Sequence, residues 1–165
     1  MKKFELTSEF VTFLGKKLFR IKALISFGNV EEGELGGYVE KEENLSNDGN
    51  AWVFGNARVF GNAWVSGDAE VFGDAEVFGN AWVFGDAEMF GNADYATVHG
   101  FGSKYRTTTF FRTKAGDIGV RCGCFYGTLE EFRAKVKETH RETKTAKEYL
   151  MVADLMEFRF SKEEV

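Results

Sequence analysis

Between positions 49 and 96 the chain repeats one pattern of apolar and polar residues without interruption. Gly stands at 49, 55, 61, 67, 73, 79, 85 and 91, each followed by Asn or Asp and then by Ala. Two residues beyond each Ala comes Val53, Val59, Val65, Val71, Val77, Val83, Met89 or Tyr95, so the unit reads G-[ND]-A-x-V-[FS]. On a helix, six residues advance the face by about 240°, and the Val positions would make no stripe. On a strand, six is a multiple of the two-residue alternation, so every position keeps its side. Gly, Ala and Val then share one side, while Asn or Asp, the variable residue and Phe share the other. The small residues predict a narrow interior. Gly followed by Asn or Asp predicts a corner, because Gly accepts positive φ and Asn or Asp bonds locally to the backbone. A strict period of this length predicts a parallel β-solenoid.

If a coil takes three of these units, 18 residues, as in the hexapeptide-repeat family that the unit resembles, positions 18 apart stack at the ~4.8 Å spacing of paired strands. One outer face then carries Phe54, Phe72 and Phe90, a second Phe60 and Phe78, and a third Trp64 over Trp82 beside Phe84. So much outward aromatic surface predicts a cover, either another subunit or the chain's own ends. Before the repeat, Leu18 to Ser26 alternates like a half-buried strand and pairs with Phe10–Phe13 across Gly15-Lys16. The segment Leu35–Ser46 places Val39 and Leu45 six apart and predicts an irregular cap on the repeat. After it, 106–112 and 118–125 predict a hairpin joined at Ala115-Gly116-Asp117. Thr128 and Glu131 have capping-box spacing, which starts a helix at Leu129, and a second helix fits 145–157. The predicted organisation is 1–34 N-terminal strands, 35–100 repeat with its regular units at 49–96, and 101–165 a hairpin with two helices.

The aliphatic residue at i and the small one at i+4, as in Val53 and Ala57, resemble the hexapeptide-repeat family. The stretches Leu35–Ser46 and Cys122–Phe132 resemble uncharacterised hexapeptide-repeat proteins of phages and prophages. The resemblance implies a mainly β fold, a left-handed parallel β-helix of triangular section, assembled as a homotrimer. It makes Trp64, Trp82, Phe84, Phe54, Phe72 and Phe90 candidate interface residues. It also implies, for a phage-encoded protein in the host cytoplasm, a counter-defence role: sequestering a small nucleotide signal or occluding a host protein. Phe at the position after Val departs from the family, which often has a small or acidic residue there.

Composition sharpens the picture. Nineteen Gly and no Pro among 165 residues suit many turns of one kind, and 44% hydrophobic residues suffice to bury a core. The net charge of -5 argues against general nucleic-acid binding. No apolar run approaches the ~20 residues of a membrane span, so a cytoplasmic protein is expected. Charge is uneven, however. Residues 49–96 hold seven acids and Arg58, whereas residues 104–121 hold Lys104, Arg106, Arg112, Lys114 and Arg121 against Asp117. With Tyr105 and Phe110 this basic segment is a candidate site for an anion, and for a nucleotide whose base stacks. The rival is acyl transfer from acetyl-CoA with His99 as general base, and a structural part of the virion is the third reading. No cofactor or metal is expected on the binding reading. Cys122 and Cys124 lack the four ligands of structural zinc and read as a reduced, packed pair.

Overall fold

The computed structural model describes residues 1–161 and divides the chain into two compact units, Met1–Asn92 and Ala93–Val165. In the first, β1 (Phe4–Phe13) and β2 (Lys16–Ala23) pair antiparallel through a turn in which Leu14 and Gly15 both have positive φ. This is the geometry that two-residue hairpin turns require. β3 (Leu35–Val39) pairs with β2, again antiparallel.

The repeat forms seven strands of two residues each: β4 (Trp52–Val53), β5 (Arg58–Val59), β6 (Trp64–Val65), β7 (Glu70–Val71), β8 (Glu76–Val77), β9 (Trp82–Val83) and β10 (Glu88–Met89). The corner glycines from Gly49 to Gly85 all have φ between 60 and 72°. At Gly67 the conformation and the space both exclude a side chain, since a Cβ there would stand 2.8 Å from the Gly85 amide nitrogen. Residues 18 apart lie side by side in parallel, Val53 beside Val71 and Val65 beside Val83.

The expected left-handed parallel β-helix is corrected by how these strands associate. They fall in separate sheets, ordered β1-β2-β3-β5-β8, β10-β7-β4 and β6-β9, and the largest is a mixed sheet completed by the antiparallel N-terminal strands. Two residues between positive-φ corners make strands too short to run on into their neighbours, so consecutive units turn to different partners. The fold is one of mixed sheets of short strands with two helices. Inside, Ala51 to Ala87 and Val53 to Val83 at the repeat positions are at most 1% exposed.

The second unit is an antiparallel sheet of β11 (Tyr95–Phe101), β12 (Arg106–Arg112), β13 (Ile118–Cys122) and β14 (Phe125–Thr128), followed by α1 (Leu129–His140) and α2 (Lys144–Phe160). The expected hairpin is therefore its central pair, except that the strand expected over 118–125 breaks after Cys122, where Gly123 has positive φ and the chain turns back as β14. Thr128 caps α1 by accepting the Glu131 N–H, so that helix starts at Leu129 as its spacing predicts. Thr143 caps α2 through the Ala146 N–H, and the helix extends to buried Phe160. Phe110 and Val120 on the sheet, Phe132 and Val136 on α1, and Tyr149, Ala153 and Met156 on α2 form the core. Arg133 ties α1 to α2 by ion pairs with Asp154 (3.0 Å) and Glu157 (2.8 Å). Among the described residues no helix is long and apolar enough to cross a membrane.

Candidate functional site

A cavity of about 240 Å³ opens in the second unit between the sheet and the two helices. Alternation along β12 turns Arg106, Thr108 and Phe110 to the helix side. Phe110 fills the core there, in an edge-on contact with Phe132. Arg106, at the end of the strand, reaches the cavity instead. The floor is aromatic. Phe125 lies 5.8 Å from Phe132, and Phe132 meets Tyr149 edge-on at 5.6 Å between ring centres. Phe101 and Val136 complete the apolar lining, and Lys104, Arg106, Lys135 and His140 supply cationic or titratable groups.

Two glycines shape this wall. A Cβ on Gly123 would overlap the Arg106 guanidinium, and one on Gly102 would overlap the Tyr149 hydroxyl. Both glycines have positive φ, so backbone and side chain approach closely at each. Thr108 donates its hydroxyl to Cys122 Sγ at 3.2 Å, and Tyr149 Oη lies 3.8 Å from the same sulfur. Burial pushes the Tyr149 phenol up to about 12, with Cys122 adding to the rise and Arg106 opposing it. Tyr149 is thus a neutral hydrogen-bonding group at physiological pH. Cys122 and Cys124 are both free thiols, and both line the cavity. Among the described residues no three His, Cys, Asp or Glu side chains cluster as metal ligands.

No protein-family model and no curated protein matches the chain.

Of the basic segment, the cavity gathers Lys104 and Arg106 only. Arg112 shares the strand face of Arg106 but lies at its far end, bonded to Asp94 (3.0 Å) and to the Phe160 carbonyl (3.1 Å). Lys114 is exposed in the turn that follows. Arg121 alternates to the opposite face of the sheet from Cys122. Tyr105 is exposed in the β11–β12 turn, with a positive φ. His99 is exposed and shares a 2.8 Å hydrogen bond with Thr107, on the face away from the cavity. Lys135, Phe132 and Tyr149 were not expected beside the basic strand because they come from helices that follow it by some 25 to 45 positions. Their only local signal was the alternation that puts Arg106 on the same face as Phe110.

In the first unit the outer aromatics form columns. Phe54, Phe72 and Phe90 stack at 4.5 and 5.0 Å, and Trp64 lies 4.9 Å from Trp82. Phe90 is exposed, whereas Phe54, Phe72, Trp64, Trp82 and Phe84 are half-buried. The chain's own N-terminal segment covers others, Phe4 and Phe27 packing on Trp52 and Phe13 on Phe60.

Proposed function

We propose that the protein binds a small anion bearing a flat ring, a mononucleotide or a fragment of one, in the cavity of the second unit. The observation that carries this reading is the meeting of Lys104, Arg106 and Lys135 with an aromatic floor in one concavity. A guanidinium flanked by ammonium groups suits a phosphate, since charge-assisted bonds are the strong ones and Arg presents a planar fork. Phe125 and Phe101 offer the ring an apolar surface, and the Tyr149 hydroxyl offers a polar handle. Size narrows the class. At about 240 Å³ the space lies below the ~300 Å³ where drug-sized pockets begin, which favours a mononucleotide over a dinucleotide or a polymer. On this reading the protein sequesters a small nucleotide signal.

Calorimetry with a panel of linear and cyclic mononucleotides tests it. At least one should bind, and Arg106→Ala should weaken that binding about tenfold or more, the scale of a lost charge-assisted bond. Lys114→Ala, in the turn at the other end of β12, should leave it unchanged. A panel that gives no heat, or binding indifferent to Arg106→Ala, overturns the reading. Acetyl-CoA turnover abolished by His99→Ala would favour acyl transfer.

A further inference from the structure

Helix α2 has two apolar faces. One, which includes Tyr149, Val152, Ala153 and Met156, is buried in the core of the second unit. The other is formed by Met151, Leu155 and Phe158, which are 70%, 57% and 78% exposed. Their spacing of four and then three makes a single stripe, and at 100° per residue it lies opposite the buried face. A lone exposed Leu is ordinary, but three large apolar side chains aligned on one helix mark an interaction surface.

We propose that this stripe is where a second copy of the chain packs, α2 against α2, antiparallel about a two-fold axis. Charge selects this occupant. Glu148 stands one turn before Met151 and Arg159 one turn after Leu155, both on the same flank of the stripe. Among the described residues neither enters an ion pair within the chain. In an antiparallel pair, residues on the same flank meet across the axis. With the axis passing between positions 153 and 154, Glu148 faces the partner subunit's Arg159, and symmetry supplies the reciprocal pair. The rise of 1.5 Å per residue then sets Met151 axially between the partner subunit's Leu155 and the partner subunit's Phe158. One register therefore interleaves the apolar residues and neutralises both charges, whereas a parallel pair would leave Glu148 and the partner subunit's Arg159 eleven residues apart along the axis and on opposite flanks. Three apolar residues per chain make a small interface, so the dimer belongs to the weak class that buries less than about 1,200 Å².

Sedimentation equilibrium of the full chain, from about 5 to 500 µM to span that weak class, tests the proposal. The average mass should climb towards two chains, and Leu155→Glu should hold it at one. Glu148→Arg should weaken the dimer about threefold or more, as expected for two exposed ion pairs lost together. Adding Arg159→Glu to that variant should restore it. Circular dichroism checks that the fold is kept, because all the substituted side chains face away from the core. A monomer throughout, an assembly of three chains, a dimer that Leu155→Glu leaves intact, or a double reversal that fails to recover would each overturn the proposal.

Discussion

The two units bury their apolar surface with different materials. From 51 to 89 the inward repeat positions of the first hold only Ala, Val and a single Met, in an interior so narrow that glycine backbone meets glycine backbone at the corners. The second uses Phe, Tyr, Leu and Met between a sheet and two helices, and leaves a cavity where those elements diverge. A narrow repeat has no room for a site inside it, and its order is carried by backbone hydrogen bonds running from residue to residue along the stack, such as Trp52 N–H to the Ala69 carbonyl. Such ladders create a problem at their first layer, where carbonyls have no preceding repeat to donate to them. Side chains meet that need. Asn44 donates to the carbonyls of Gly61 (3.2 Å) and Ala63 (2.8 Å), and Lys3 to those of Gly49 (3.3 Å) and Ala51 (2.8 Å). Backbone order is therefore the first unit's weak point, and side-chain volume the second's.

That contrast can be broken at its strongest point by truncating the second core. Phe132 contacts Phe110, Phe125 and Tyr149, so Phe132→Ala should cost about 3–5 kcal/mol in urea unfolding. A loss under 1 kcal/mol would mean that the helices do not depend on this ring. In the first unit the larger effect should come from a polar residue. Asn44→Leu keeps the branched shape but strands the buried Ala63 carbonyl and the half-buried Gly61 carbonyl, at about 2–4 kcal/mol. If Asn44→Leu proves neutral, the end-capping role assigned to it is wrong.

Alkaline titration sharpens the comparison, with opposite signs in the two units. Burial lowers Lys3 from 10.5 to about 8, although Asp48 and Asp68 pull it back up. Between about 8 and 10.5 the unfolded chain binds the proton that the folded one has lost, so stability rises with pH through that window. Tyr149 keeps its proton to about 12 when folded and releases it near 10.0 when unfolded. Its contribution is full below 10 and lost as pH climbs to 12. Each effect is on the order of 1 kcal/mol after solvent screening. Thermal unfolding should show the rise disappear in Lys3→Met and the fall disappear in Tyr149→Phe.

Legibility followed the range of the interaction. The buried Ala and Val positions were readable because a six-residue period preserves strand sides, and the start of α1 was readable because Thr128 and Glu131 settle it within one turn. The division into sheets was not. Arg58 pairs with Glu76 on one side, but on the other the sheet is continued by Tyr38 and then by Arg20 from the N-terminal strands. The six-residue spacing of Val39 and Leu45 pointed to that junction, where they pair with Val59 and Val65, but nothing in it announced the antiparallel pairing of β2 with β3. The cavity lay between these cases. The basic cluster was visible as a run of charge, but strand alternation and the helices divided it, drawing Arg106 to Tyr149 and Lys135 while Arg112 went to Asp94.

The parallel register has one last consequence, for how the chain can change in length. Trp52 stands beside Glu70 and Glu70 beside Glu88, Arg58 beside Glu76, and Trp64 beside Trp82. Inserting six residues between positions 64 and 76 would keep every alanine and valine on its inner side, yet would slide Trp64 off Trp82 and onto Glu76. Inserting eighteen would return each outer residue to its own column. Growth of this molecule is thus quantised twice, in sixes by its interior and in eighteens by its surface, and only the larger step preserves both.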